Sequence, residues 1–499
     1  MTSRLAAVPG ANVVVASNRG PVSFSTQDEQ LVLRRGGGGL VSALVRAAGQ
    51  PAPQESDGAE GGGSLWVCCA MSEADRRAAR EATHGRLDLA GHDMGGGRVR
   101  MLSIDPRVFD RAYNAIANRV LWFVAHMLFD TSVAPRFDAG FRKQWDSYER
   151  YCRAFALAIA EDAAEGAVVL VQDYHLTLAP GLLRLRRPDL RIGFFCHTPW
   201  APPEYFRMLP GTVARDILAG ILGADRAGFL SPRWAAAFAD CCAEVLNADV
   251  RGGVVRYEGR DTVLGVHPLG VDGDELRRRA ARNDVVSRAA TLRDQLGGRQ
   301  AIVRVDRMEL SKNIVRGLEA YRELLRTRPE WRNRVTHIAL ANPSRSGVAE
   351  YREYTGSVLR MGEQIRNEFS TASWEPLVLD VSDDYARSLA AYTVADVLLV
   401  NPIRDGMNLV AKEGPILSGD GLALILSREA GAADELASDS LIVNPYDVSQ
   451  TADSLDEALR MPREQRQERT RRLVTAATAL PPQAWLRDQV EALQALSSR

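Results

Sequence analysis

The sequence predicts an α/β protein with two doubly wound parallel-sheet domains facing a common cleft. Three observations carry that prediction. Short apolar runs alternate with helical patterns nearly throughout the 499 residues, as in parallel sheets covered by helices. The chain is too long for one ordinary core. The runs also fall into two sets, each sufficient for its own sheet, with the short Pro/Gly-punctuated stretch 265–271 between them.

In the first half, residues 12–17, 65–70, 99–104, 168–173, 192–197 and 226–231 read as strands, and 40–48 and 141–161 as helices between them. Residues 54–64, rich in Gly, Ser and acids, read as a surface loop. The second half offers strands at 301–306, 335–343, 377–380, 396–402, 422–427 and 441–445. The tail 482–498 is an amphipathic helix with Trp485, Val490, Leu493 and Leu496 on one side. The expected domains are 1–266 and 267–480, followed by a C-terminal helix at 481–499. Such folds bind ligands outside the carboxyl ends of their strands, so chemistry is sought there.

Composition narrows the function classes. Apolar residues make up 46% of the chain and charged ones 25%, with a net charge of -1. That balance gives no broad electrostatic reason to expect nucleic acid or an anionic membrane as partner. No apolar run approaches the roughly 18 residues of a membrane helix, and the N-terminus lacks a secretory core; a cytoplasmic protein is expected. The six cysteines include two vicinal pairs and no C-x-x-C, and no H-E-x-x-H occurs. This argues against a disulfide framework or a zinc site and puts most of the thiols in the core. Only three residues are lysine, and two of them, Lys312 and Lys412, lie in candidate phosphate-binding stretches.

The most informative stretch is Asn401-Pro-Ile-Arg-Asp-Gly-Met-Asn-Leu-Val-Ala-Lys-Glu413, which follows the apolar run 395–400 and reads as strand, tight Asp405-Gly406 turn and helix start. Unpaired amides and the positive end of the helix dipole make Gly406, Met407, Asn408 and Leu409 a seat for phosphate. Asp405 suits sugar hydroxyls, and Glu413, two turns along, a ribose. The plainer alternative is a corner in which Asp405 caps the helix. Arg307 and Lys312, five residues apart across a turn, suit a diphosphate, and Arg345 after the next strand suits another anion. In the first half, Arg19 follows the first strand, and the four glycines 36–39 precede a helix start where backbone approaches an anion closely. The run is not G-x-G-x-x-G, which disfavours a nicotinamide enzyme. Asp173, Tyr174, His175 and His197 end two further strands, and Trp66 lies on another. Tyr113 and Trp122 stand nine residues apart, on opposite sides of an ideal α-helix, so a shared ligand needs a bend or break between them. Two cationic centres imply two phosphorylated ligands.

Taken in order, S-N-R-G, the Gly-Gly-Leu turn, Y-N-x-x-x-N-x-x-L-W, D-Y-H-L, F-F-x-H-x-P, D-R-x-x-x-S-K, P-S-R, R-D-G-M-N-L-V-A-K-E and A-G-A-A-x-E-L resemble the trehalose-6-phosphate synthases over roughly residues 12–495. These are retaining glycosyltransferases of the GT-B architecture, with two Rossmann-like domains. The resemblance implies glucose transfer from a nucleoside-diphosphate glucose to glucose 6-phosphate, giving α,α-trehalose 6-phosphate. The nucleotide sugar is then a substrate, and neither cofactor nor catalytic metal is expected. The same resemblance has Gly38, Gly39, Arg307 and Lys312 hold the donor diphosphate, with Gly406, Met407, Asn408, Leu409 and Val410 beside them. Asp405 and His197 would bind the donor glucose, and Glu413 the ribose. Arg19, Tyr113, Trp122 and Arg345 would take the acceptor phosphate, while Trp66, Asp173 and Tyr174 surround its sugar. Front-face attack, and a C-terminal helix packed back on the first domain, follow from the same likeness.

Some positions depart from the commonest pattern. Gln172 stands where a His is common, Met308-Glu-Leu310 replaces Leu-Asp-Tyr, Asn313 replaces Gly, and Thr198-Pro-Trp200 replaces Ile-Pro-Phe. Asp383 replaces an aromatic of the base pocket. A carboxylate accepts from the N1–H and N2–H₂ edge of guanine, so GDP-glucose is expected ahead of UDP-glucose. The expected partners are these small molecules, neither nucleic acid nor membrane, with a homo-oligomer left open. Competing readings are a transferase with another acceptor, of the validoxylamine-phosphate or glucosylglycerol-phosphate type, and a non-catalytic sugar-phosphate sensor. The intact set Arg19, Tyr113, Trp122, Asp173 and Arg345 argues against the first, and two ligand sites argue against the second. No D-x-D-G-T stretch suggests a fused phosphatase.

Overall fold

The computed structural model describes residues 10–35, 63–87, 89, 98–345, 347–419 and 421–496. The chain divides into two compact units, one running to His267 and taking in the segment from Pro482 onward, the other spanning Pro268–Pro481. The expected helix 40–48 and most of the loop 54–64 lie outside the described residues.

In the first unit, β1 (Ala11–Ala16) is followed by β2 (Val22–Gln27), β3 (Gln30–Arg35), β4 (Ser64–Cys69), β5 (Arg86–Leu87) and β6 (Arg98–Leu102). Then come β7 (Ala163–Gln172), β8 (Arg191–Cys196), β9 (Arg226–Phe229), β10 (Asp249–Arg251), β11 (Val254–Tyr257) and β12 (Arg260–Val266). Among the described residues ten of them form one sheet in the order β10-β11-β12-β9-β8-β7-β1-β4-β6-β5. Pairing is parallel from β12 through β6, and strands β7 and β8 read as near-continuous apolar runs because both faces are covered. The separate β2–β3 hairpin and the β10–β12 ribbon are additions to the expected strands. They are half-exposed and carry no continuous apolar run. The hairpin also turns through Asp28 and Glu29, both at positive φ (48° and 62°), without the Asn-Gly or Asp-Gly that usually announces such a turn.

A long helix, α1 (Ala139–Asp162), backs this sheet. The Asp138 carboxylate accepts from the Phe141 N–H at 2.9 Å and caps it, and its buried stripe includes Trp145, Tyr148, Tyr151, Cys152, Phe155 and Ile159. All six cysteines are buried and free. Burial pushes the Cys152 and Cys196 thiols up to about 12, which makes them core groups rather than nucleophiles.

The second unit holds a six-stranded sheet of β13 (Gln300–Arg307), β14 (Val335–Asn342), β15 (Leu377–Asp380), β16 (Val397–Val400), β17 (Ala423–Ser427) and β18 (Leu441–Val443). All pairs are parallel, in the order β15-β14-β13-β16-β17-β18. The strand order therefore reverses between β13 and β16, and a crevice opens at their carboxyl ends. The helix α2 (Val410–Leu417) follows β16.

His337, in the middle of β14, is fully buried, and neither ring nitrogen has a hydrogen-bond partner among the described residues. Burial, aided by the Arg304 charge, drops its pKa to about 3. A group depressed on folding contributes stability above its unfolded pKa of about 6.5, and that stability drains away as pH falls towards the folded value. The expected cost by pH 5 is about 2 kcal/mol. Melting curves should show His337→Leu losing less stability between pH 7 and pH 5 than the unaltered chain.

The C-terminal helix, α3 (Pro482–Gln494), packs within the first unit. The Trp485 indole donates to the His267 carbonyl at 2.9 Å. Its buried face is Trp485, Leu486, Gln489 and Leu493, with Val490 and Leu496 only partly covered. The face is thus rotated from the expected one, and Gln489 is accepted because its amide donates to the Trp485 carbonyl at 3.2 Å.

Candidate active site

Two clusters gather the sequence-selected residues, one in each unit. In the first, Arg19 lies just beyond β1 and is exposed, and its guanidinium comes within 3.5 Å of the Tyr113 hydroxyl. Trp66 on β4 is buried. Its indole donates to Ser17 Oγ at 2.8 Å, and that hydroxyl donates to the Arg19 carbonyl at 2.6 Å, so Trp66 sets the turn that carries Arg19.

Tyr113 and Trp122 meet the required break in the α-helix by an unexpected route. Residues Arg111–Leu121 form a π-helix, and the Trp122 N–H donates five residues back to the Ala117 carbonyl. At about 4.4 residues per turn, nine residues make two turns, and the two rings return to one side. A chain of ring contacts runs between them: Tyr113 to His175 at 5.6 Å, His175 to Tyr174 at 4.0 Å, and Tyr174 to Trp122 at 5.7 Å.

Asp173, directly after β7, has φ of 74°, a left-handed conformation that costs on the order of 1–3 kcal/mol outside glycine. The surroundings impose it. Its N–H donates to the Phe195 carbonyl at 2.7 Å, and its carboxylate accepts from the His197 N–H at 3.1 Å. The His197 ring lies 2.9 Å from Gln172 Oε1 through Nε2. Burial lowers its pKa to about 3, so the imidazole is neutral, and Nε2–H donating to Gln172 leaves Nδ1 as acceptor. Gln172 thus orients His197, a role its spacing in the sequence did not reveal.

The second cluster occupies the β13/β16 crevice. Lys312 Nζ donates to Asp405 Oδ2 at 2.5 Å, and Asn408 Nδ2 reaches the same oxygen at 3.1 Å. Burial opposes the Lys312 charge, but Asp405, Asp306 and Glu309 outweigh it and the pKa is raised. Arg307 is exposed and pairs with the buried Glu309 at 3.2 Å. The loops after β13 and β16 are joined by Ile403 N–H donating to the Ser311 carbonyl at 2.8 Å. α2 starts at Val410 and not directly after Gly406, and Asn408 Oδ1 accepts from the Ala411 N–H at 3.3 Å. The N-cap position is therefore Leu409 rather than Asp405, and the side chain that reaches the first turn is that of Asn408, at φ 78°. The N–H groups of Met407, Asn408 and Leu409 donate to no other group among the described residues. Three successive unpaired amides are the signature of an anion seat.

A strand-like segment supports that seat. The Asp405 N–H donates to the Glu429 carbonyl (3.1 Å), the Gly431 N–H to the Asp405 carbonyl (3.1 Å), and the Ala432 N–H to the Met407 carbonyl (2.8 Å). Gly431 was visible in the A-G-A-A-x-E-L motif, but no spacing rule assigned it a contact. Glu413 lies 3.4 Å from the Tyr392 hydroxyl, and burial raises its carboxyl to about 7. Arg345, at φ 42°, is held by the Tyr351 hydroxyl at 2.5 Å. Asp383 is exposed, whereas its neighbour Asp384 accepts from the Arg387 N–H at 2.9 Å and pairs with Arg288 at 2.7 Å. Lys412 does not join the phosphate seat. It is fully buried, paired with Glu435 at 2.5 Å and donating to the Leu269 carbonyl at 2.9 Å, because its position on α2 turns it towards the core. Gly38 and Gly39 lie outside the described residues. No helix among the described residues is long and apolar enough to cross a membrane.

The chain is similar to known proteins over almost its whole length. The family model described as glycosyltransferase family 20 matches residues 11–495. A bifunctional trehalose-6-phosphate synthase/phosphatase of Thermoproteus tenax is 33% identical over 92% of this chain, which spans 60% of that protein's length. A trehalose-6-phosphate synthase of Mycobacterium sp. (strain KMS) is 34% identical, with 97% of this chain and 95% of the relative covered. A solved structure from E. coli with UDP-2-fluoro glucose bound has a TM-score of 0.82 at 26% identity, over 98% of this chain and all of the other. The fold class is that of these structures, GT-B with two Rossmann-like domains. The chain belongs to glycosyltransferase family 20, the family of the trehalose-6-phosphate synthases.

Proposed function

We propose that this chain transfers glucose from a nucleoside-diphosphate glucose to glucose 6-phosphate, with retention, giving α,α-trehalose 6-phosphate. The observation that carries the reading is the seat in the β13/β16 crevice, where Lys312, Asp405 and three unpaired amides converge. Such preorganised donors stabilise the charge that develops as a diphosphate leaves. Arg307 and Lys312 neutralise it without metal in this reading, Asp405 and His197 bind the donor glucose, and Glu413 binds the ribose. Arg19, Tyr113, Trp122 and Arg345 take the acceptor phosphate, with Trp66, Asp173 and Tyr174 around its sugar.

The bond from the anomeric carbon to the diphosphate oxygen breaks as the bond to the acceptor hydroxyl oxygen forms on the same face. The departing phosphate takes the hydroxyl proton. A double displacement needs a free carboxylate at the anomeric carbon, and Asp405, which binds the donor glucose in this reading, is engaged by Lys312 and Asn408. Asp405→Asn should therefore lower the rate yet leave the product anomer unchanged and trap no covalent glucosyl-enzyme, as followed by mass spectrometry.

For the donor, UDP-glucose is favoured by the E. coli structure's bound analogue; the expectation of GDP-glucose rests on Asp383 alone. The test is turnover with glucose 6-phosphate, offering UDP-, GDP- and ADP-glucose in parallel. The expected product is an α,α-linked disaccharide phosphate, fastest from UDP-glucose, with Asp383→Ala leaving the preference in place. A guanine preference that Asp383→Ala abolishes would reverse the donor assignment. Saturable glucose 6-phosphate binding with no turnover from any donor would overturn the transferase reading.

A further inference from the structure

We propose that Tyr148 and Tyr151 of α1 are positioning residues for the acceptor, each holding one of the strand-end turns that would bind it. The proposal rests on the acceptor assignment above. Three residues apart, the two rings leave α1 on one face, and they are 0% and 2% exposed.

The Tyr148 hydroxyl donates to the Tyr174 carbonyl at 2.8 Å, accepts from the Thr177 N–H at 3.1 Å, and lies 2.9 Å from Thr177 Oγ1. One oxygen thus closes the turn immediately after the strained Asp173. Tyr174 is also fixed at its other end, where its hydroxyl donates to the buried Asn118 Oδ1 at 2.9 Å. Tyr151 serves the neighbouring turn. Its hydroxyl donates to Oδ1 of Asn18, the residue before Arg19, and its ring meets Phe109 at 6.4 Å, which in turn stacks on Tyr113 at 5.1 Å. One helix face therefore sets Arg19, Tyr113, Asp173 and Tyr174 together. Packing alone does not require the two oxygens, since phenylalanine fills the same space. What the hydroxyls add is direction, because a satisfied buried polar network admits few arrangements of the loops it joins.

The test is steady-state kinetics of Tyr148→Phe and Tyr151→Phe with each substrate varied in turn. The KM for glucose 6-phosphate is expected to rise about tenfold in each, while the KM for the nucleotide sugar moves less than about twofold. Tyr321→Phe is the control for a merely structural role. That buried hydroxyl donates to the Pro376 carbonyl at 2.8 Å in the second unit, and its loss should leave the glucose 6-phosphate KM alone. Tyr151→Phe and Asn18→Ala should be non-additive, since they remove the two ends of one hydrogen bond. An unchanged glucose 6-phosphate KM in both variants, or equal rises in both KM values, overturns the proposal. A wild-type chain that neither turns over nor binds glucose 6-phosphate, by calorimetry, overturns the acceptor assignment and the proposal with it. Tight wild-type binding matched by both variants overturns the proposal alone.

Discussion

Lys312→Ala is expected to lower kcat/KM by about a thousandfold and to cost about 2 kcal/mol of stability. The two effects have separate origins. Lys312 is 15% exposed at its side chain and Asp405 16%, with 2.5 Å between their charged atoms. Removing the ammonium leaves a largely enclosed carboxylate that has lost its cation while still accepting from Asn408 Nδ2, and an uncompensated charge is costly where water is scarce. In the proposed reading the catalytic loss comes from the diphosphate, which loses a cation already tied into the crevice by Asp405. Arg307 is exposed and already paired with Glu309, so water screens the charge it could offer instead. Lys312→Arg keeps the charge but not its compact shape, and should recover the stability more fully than the rate. Unchanged activity and an unchanged melting temperature in the alanine variant would argue that Lys312 is neither catalytic nor paired.

Gly431→Ala is expected to be as damaging as the loss of a catalytic group, although it removes nothing. A β-carbon at this position would sit 1.9 Å from the Gly406 carbonyl oxygen and 3.2 Å from the Met407 α-carbon. Both neighbours are backbone and cannot rotate away. The loop must move by more than an ångström, at a cost of about 3 kcal/mol, and such a displacement of catalytic groups costs about a hundredfold in rate. Gly419→Ala, where an added β-carbon meets nothing within 4 Å, is the matched control and should be silent. Thermal melts and donor KM values on the pair decide the matter.

The parallel core was legible because buried strands of this kind carry unbroken apolar runs, such as Val168–Val171 and Val397–Val400, which need no partner to be recognised. The edge ribbons were not, since half-exposed strands share their composition with loops. Among the proposed site residues, those at strand ends stood out by position alone: Asp173, His197, Arg307 and Asp405 all follow an apolar run. Residues that act through a distant partner left no such mark. Gln172, Asn118, Tyr148 and Gly431 matter because of groups 25, 56, 26 and 26 residues away, and a linear pattern holds no information about that meeting. The Asp405 cap failed for a different reason. The left-handed Asn408 delays the helix by a turn's width, and asparagine reaches that conformation too readily for sequence to say when it does.

The wide turn between Arg111 and Leu121 makes the number of residues there a functional quantity in its own right. A protein that kept tyrosine, asparagine and tryptophan in this segment but dropped one residue between them would preserve every named side chain and still scatter the rings. Its helix would tighten, one aromatic would swing towards the opposite side, and the ladder through His175 and Tyr174 would be cut. In this chain, then, residue number across the segment is as informative as residue type, and a one-residue deletion there would break the ring ladder rather than trim a loop.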